Sequence, residues 1–130
     1  MKILLAEDDF ATRNFMQRCL AKYGDCDVTV NGEEAMEAYR FGLEAEEPYD
    51  LVCLDVMMPV LDGYQALKGI RHIEKEKELD ETKISKIVMV TALNDKRNMQ
   101  KAFDLGCDAF SAKPFEPEKF EATLSELGLL

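Results

Sequence analysis

No apolar stretch in this 130-residue chain approaches the ~20 consecutive residues needed to span a bilayer. Nor is there the long apolar segment and small-residue cleavage site of a secretory leader. Met1-Lys2 runs straight into a short strand-like segment that ends in Glu7-Asp8-Asp9. These two absences imply a cytoplasmic protein without membrane insertion. Positive charge is also scarce, with 16 Lys and Arg against 26 Asp and Glu and a formal net charge of −10. Such a chain lacks the basic footprint for nucleic acid or an anionic membrane, so no direct nucleic-acid partner is expected. The cysteines Cys19, Cys26, Cys53 and Cys107 form no Cys-x-x-Cys pair. They read as small buried hydrophobes in a reducing compartment rather than as a metal or redox site. A Gly-x-x-x-x-Gly-Lys-Ser/Thr phosphate loop is missing, which removes the usual nucleotide-binding device.

What the chain does have is 47% hydrophobic and 32% charged residues, a composition that folds. Its length supports one domain over residues 1–130. Strand-like and helix-like segments alternate along it. Lys2–Ala6 is an apolar run closed by acids. Ala11, Phe15, Met16, Cys19, Leu20 and Tyr23 recur at helical spacing, with Gly24 as a stop. A short strand over Asp27–Val30 precedes Asn31-Gly32-Glu33-Glu34, which has capping-box spacing. Ala35, Ala38, Tyr39 and Gly42 form the inner face of the second helix. Leu51–Asp55 is the third strand. Asp62-Gly63 opens a helix with Ala66, Leu67, Ile70 and Ile73 inward, running out into a solvated Glu74–Glu78 end. Ile87–Thr91 is the fourth strand. Asn94-Asp95 caps a helix with Met99, Ala102 and Phe103 inward and Gly106 at its end. Asp108–Ala112 is the fifth strand, and Pro117 suits the first turn of a last helix with Phe120, Leu124 and Leu127 inward. The expectation is an α/β, three-layer (βα)5 fold: a doubly wound, flavodoxin-like parallel sheet of five strands in the order 2-1-3-4-5.

In that topology the ends of strands one and three are neighbours at the switch point, where open α/β sheets place ligands. Strand three, Leu51-Val52-Cys53-Leu54, is apolar throughout and therefore buried on both faces. It delivers Asp55 at its end, just ahead of Met58-Pro59. Glu7, Asp8 and Asp9 follow strand one. Two unit charges ~4 Å apart repel by about 4 kcal/mol at a surface-like dielectric, so converging carboxylates either raise their pKa values or hold a cation. Oxygen donors without His or Cys suit a hard divalent ion, and an open cluster suits Mg²⁺. Asp8 and Asp9 could instead serve only to cap the first helix, although one Asp suffices for that. Thr91 ends strand four, and Lys113 ends strand five in Ala112-Lys113-Pro114-Phe115. A carboxylate, a cation site, a hydroxyl and an ammonium around one point form a phosphoryl-binding constellation.

These residues, Glu7-Asp8-Asp9-Phe10, Leu54-Asp55-Val56-Met57-Met58-Pro59 with Asp62-Gly63, Val90-Thr91-Ala92 and Lys113-Pro114-Phe115, resemble a receiver domain of two-component response regulators over the whole chain. The resemblance is to the single-domain chemotaxis type. It implies Asp55 as the phosphorylation site, with Thr91 and Lys113 contacting the phosphoryl group and a cis Lys113-Pro114 bond. It also implies Mg²⁺ held by Asp9, Asp55 and the Met57 carbonyl, with Asp8 acting through water. Such a domain takes its phosphoryl group from a sensor histidine kinase or a histidine phosphotransfer protein. It has no turnover substrate of its own. Thr91 then moves toward the phosphoryl group, and an aromatic residue on strand five, here Phe110, follows it inward. Lacking a hydroxyl, Phe110 could report its state only by packing, or could be a static core residue.

Change should surface on helix four, strand five and helix five, for a downstream protein that the sequence does not identify. The protein is expected to be a monomer or a weak phosphorylation-dependent dimer, with no output domain of its own. Met57 and Leu93 follow Asp55 and Thr91 by two residues and are apolar, so self-dephosphorylation should be slow. The lone histidine, His72, next to Arg71, reads as a surface residue. Three rival readings each meet an obstacle in particular residues. A haloacid dehalogenase-like phosphatase needs a second acid where Met57 stands. A flavodoxin would need a phosphate loop where Glu7-Asp8-Asp9 would repel phosphate. A pseudo-receiver that docks but is never phosphorylated is opposed by Asp9, Asp55, Thr91 and Lys113 all being present.

Overall fold

Alternation along the first strand divides the interior in two. In β1 (Lys2–Ala6), Ile3 and Leu5 face one side of the sheet while Leu4 and Ala6 face the other, and all four are buried. The computed structural model, which describes residues 1–92 and 96–130, continues with α1 (Phe10–Leu20), β2 (Asp25–Thr29), α2 (Gly32–Glu44), β3 (Leu51–Asp55) and α3 (Gly63–Glu76). It ends with β4 (Lys86–Thr91), α4 (Lys96–Asp104), β5 (Ala109–Ala112) and α5 (Pro117–Glu126). The strands are parallel in the order β2-β1-β3-β4-β5, the flavodoxin-like arrangement expected. Met16 and Leu20 of α1 pack with Phe120 and Leu124 of α5 on Ile3, Leu5, Leu51, Cys53, Val88 and Val90. Helices α2, α3 and α4 cover the opposite face through Tyr39, Leu67, Ile70 and Ala102, against Leu4, Val52, Leu54, Ile87 and Met89.

Several local expectations shift. Strand β2 starts at Asp25, two residues earlier than its apolar residues suggest, because an edge strand can alternate exposed acids with partly buried Cys26. Gly24 does not end α1, whose C-cap is Ala21. A Cβ at Gly24 would lie 1.8 Å from the Met1 carbonyl oxygen, so close approach of the chain is what requires glycine there. Asn31 Oδ1 caps α2 by accepting from Glu34 N, but the Glu34 carboxylate reaches Val30 N rather than Asn31 N. The reciprocal capping box sits instead at α3, between Asp62 and Gln65. Phe15 and Phe103 are 47% and 44% exposed rather than buried, Phe15 resting edge-on against Phe115. Asn94 and Asp95, the expected cap of α4, lie outside the described residues.

The largest departure is Glu74. Its place at the head of a charged run predicts solvation, yet it is 4% exposed. Arg71 Nη1 donates to Glu74 Oε1 at 2.8 Å, while Ser85 N and the Tyr39 hydroxyl donate to Oε2. Arg71 also donates to Asp108 Oδ2, and to the carbonyls of Ser85 and Gly106. One guanidinium thus ties α3 to the α3–β4 and α4–β5 loops and, through Glu74 and Tyr39, to α2.

Candidate functional site

Register brings the site together. Ala6 pairs with Leu54 and Asp55 with Val90, so Glu7, Asp55 and Thr91 emerge at the same C-terminal edge of three adjacent strands. The end of β3 is held firmly. Val56 N donates to Val90 O, and Gly63 N donates to Val56 O at 2.9 Å. A Cβ on Gly63 would lie 2.3 Å from the Asp55 carbonyl oxygen, which explains glycine at the start of α3. Asp55 is 5% exposed.

Lys113 reaches this edge from β5. Its N–H donates to Thr91 O at 2.7 Å, its bond to Pro114 is cis as the resemblance implies, and its ammonium donates to Glu7 Oε1 at 2.7 Å. The same ammonium stands 3.1 Å from Asp55 Oδ1. Burial by itself would lower the Lys113 pKa, but the hydrogen bond it donates to Glu7 and the charge of Asp55 outweigh it and hold the group above its ordinary value. Thr91 is buried at the end of β4.

Glu7 is fully buried, with Oε1 on Lys113 and Oε2 without a hydrogen-bond partner among the described residues. Burial, reinforced by neighbouring Asp55 and opposed by Lys113, pushes its carboxyl up to about 7. Carboxylate oxygens of Glu7, Asp8 and Asp55 lie within 4.8 Å of one another. This trio differs from the expected set of Asp8, Asp9 and Asp55. Asp9 turns away to cap α1, where its Oδ2 accepts from Thr12 N at 2.9 Å and Thr12 Oγ1 at 2.6 Å; these bonds lower its pKa. Only part of the acidic run can face Asp55, since the chain must turn from strand to helix there. The residue next to the buried strand goes inward, and the one next to the helix becomes its cap. The signal was present in the sequence: Thr12 stands three residues after Asp9, at capping distance, and Glu7 directly follows β1.

Met57 lies two residues past Asp55 on the β3–α3 connection, with 69% exposure, and Leu93 lies outside the described residues. Phe110 on β5 is half-buried, packed against the core beneath α2, α3 and α4. It also borders a cavity of about 250 Å³ beside α5. His72 is exposed and pairs with Glu76 on the same helix, away from the acidic trio, as a surface residue should. The arrangement therefore offers a buried carboxylate at a strand end, a fixed ammonium and a cluster of oxygen donors with one orphaned atom.

The family model described as "Response regulator receiver domain" matches residues 3–125. A "Probable transcriptional regulator ycf27" from Cyanophora paradoxa is 36% identical over 127 residues, 97% of this chain and 47% of the relative. The chain spans about half the length of the curated relatives it matches. The receiver domain of Ssk1, solved with the histidine phosphotransfer protein Ypd1 of Saccharomyces cerevisiae, superposes with a TM-score of 0.83. It is 26% identical, and the match covers 98% of this chain and 88% of that one. A chain of the CheX–CheY–BeF3–Mg complex from Borrelia burgdorferi shares the fold. Its TM-score is 0.82 at 23% identity, over 98% of this chain and 89% of that one.

Proposed function

Because this chain belongs to the response regulator receiver domain family, a signalling module of two-component systems, we propose that Asp55 accepts a phosphoryl group from a partner's phosphohistidine. The supporting observation is the Lys113 ammonium, shared between Glu7 Oε1 and Asp55 Oδ1 at the sheet's C-terminal edge. An Asp55 carboxylate oxygen attacks phosphorus in line. The P–N bond breaks, its electron pair returns to the histidine ring nitrogen, and an acyl phosphate remains on Asp55. Lys113, already at hydrogen-bonding distance from Asp55, neutralises a phosphoryl oxygen, and Thr91, one strand away, supplies a hydroxyl.

The acidic trio fits Mg²⁺. All its donors are hard oxygens, and Glu7 Oε2 is a buried polar atom with no hydrogen-bond partner among the described residues. Glu7, Asp8 and Asp55 would hold the ion, while Asp9 remains the helix cap. Bound Mg²⁺ supplies the positive charge that offsets repulsion between phosphoryl oxygens and three carboxylates. The added phosphoryl carries roughly −1.5 to −2 charges and three strong acceptors. Thr91 turns toward it, and half-buried Phe110 repacks inward, altering the α4–β5–α5 face for a downstream protein. Driving a 1:99 equilibrium to 99:1 takes about 5.5 kcal/mol of differential interaction, so a partial shift satisfies the same geometry.

Beryllofluoride, a phosphoryl mimic, tests this reading. Its binding should require Mg²⁺, perturb Thr91 and Phe110 resonances, and vanish in Asp55→Asn. Absence of binding in the wild type would favour a pseudo-receiver that docks without phosphorylation.

A further inference from the structure

The three residues of the acidic run are restrained very differently. Glu7 is pinned at both ends, its N–H on Thr29 O at 3.1 Å and its carboxylate on Lys113. Asp9 is pinned by its cap bonds to Thr12. Asp8 is exposed, and among the described residues no hydrogen bond holds its carboxylate. What holds Asp8 is its backbone. One guanidinium nitrogen of Arg13, Nη1, donates to Glu7 O at 3.0 Å and to Asp8 O at 3.2 Å. Those two carbonyls belong to the peptide units on either side of the Asp8 Cα. A single rigid donor bridging both restricts φ and ψ of Asp8 together, and with them the direction of its Cβ. Arg13 is itself well seated: its backbone N–H donates to Asp9 O at 2.8 Å in the first turn of α1, and its guanidinium stacks 5.5 Å from the exposed Phe10 ring.

We propose that Arg13 is a positioning residue for the cation site, aiming the Asp8 carboxylate at Glu7 and Asp55 by clamping the loop backbone. The inference rests on the proposed cation site. It also has a sign that separates it from simple electrostatics. A positive charge beside a cation site should weaken binding, so neutralising Arg13 would strengthen it if charge dominated. If positioning dominates, neutralisation weakens it, as loss of a supporting partner does at other metal sites, by about tenfold or more.

The test is Mg²⁺ titration of the full chain by NMR and calorimetry, comparing wild type, R13Q, R13K, D8N and R13Q/D8N. R13Q should weaken Mg²⁺ about tenfold, and R13K, which keeps charge and some donor capacity, should fall between R13Q and wild type. R13Q should also raise fast backbone motion at the Asp8 amide without metal, and should weaken Mg²⁺ no further once Asp8 is Asn. Unchanged or tighter Mg²⁺ binding in R13Q, or an undiminished R13Q effect in the D8N background, overturns the role of Arg13. Failure of the wild type to bind Mg²⁺ at all overturns the cation site itself, a different outcome.

Discussion

Lys113 Nζ stands 3.1 Å from Asp55 Oδ1, an ion pair that joins the ends of β5 and β3 across the intervening β4. The same ammonium is the hydrogen-bond donor of buried Glu7, so it offsets two carboxylates at once. Replacing it with Lys113→Met leaves both without their cation. In divalent-free buffer, urea denaturation should show a loss of about 1–3 kcal/mol, scaled below that of a fully buried pair because Lys113 keeps some solvent contact. Millimolar Mg²⁺ should recover part of that loss, since the ion takes over the same neutralising role. Equal destabilisation with and without Mg²⁺ would argue against a shared site.

Asp8 and Asp9 are adjacent in sequence and opposite in role. Asp9→Ala removes a helix cap and should cost about 1 kcal/mol in stability with Mg²⁺ affinity nearly unchanged. Asp8→Asn should leave stability nearly unchanged and weaken Mg²⁺. Thermal denaturation and metal titration on both variants check the assignment, and a reversed pattern would restore Asp9 as the ligand.

Glu7, with its carboxyl raised to about 7, gives a pH dependence of definite sign. In the unfolded chain this group titrates in the ordinary carboxylate range, so between about pH 4.5 and 7 the folded state binds more protons. Stability in divalent-free buffer should therefore fall as pH rises through that window, by at most about 1.4 kcal/mol per pH unit for the one proton. Glu7→Gln should flatten the slope, as followed by urea midpoints across the range.

Far from the acidic edge, Glu74 should behave as a structural residue. Glu74→Ala removes the buried acceptor of Ser85 N and the Tyr39 hydroxyl and leaves Arg71 with Asp108 as its remaining carboxylate, which should cost about 1–3 kcal/mol by urea denaturation. Phosphorylation of the folded variant should stay near that of the wild type, since none of its partners, Tyr39, Arg71 or Ser85, belongs to the phosphoryl site.

The contrast between these residues shows what a sequence exposes and what it conceals. The alternation of apolar runs with helical spacing determines the layered parallel α/β architecture, and the flavodoxin-like strand order expected of such a chain brings the strand ends together. Asp55 and Thr91 each close a buried strand, Lys113 directly follows the half-exposed edge strand β5, and parallel register carries all three to one edge. Composition alone does not partition Glu7-Asp8-Asp9; position does, through Thr12 at capping distance from Asp9 and Glu7 directly after β1. Arg13 was silent because it acts through main-chain carbonyls that any sequence possesses. Glu74 looked solvated because its neighbours Lys75, Glu76 and Lys77 are, while the partners that bury it lie 35 residues upstream at Tyr39 and 11 downstream at Ser85. Phe15 and Phe103 repeat the lesson in reverse, their helical spacing being that of core residues while their side chains stay 47% and 44% exposed.

The central claim is that one carboxylate becomes an acyl phosphate. Incubation of the wild-type chain with phosphoramidate and Mg²⁺, followed by intact-mass measurement and peptide mapping, tests it most directly. The account predicts a single phosphoryl adduct on Asp55, labile to base and to hydroxylamine, absent without Mg²⁺ and absent in Asp55→Asn. An unmodified wild type, or an adduct that persists in Asp55→Asn, would contradict it.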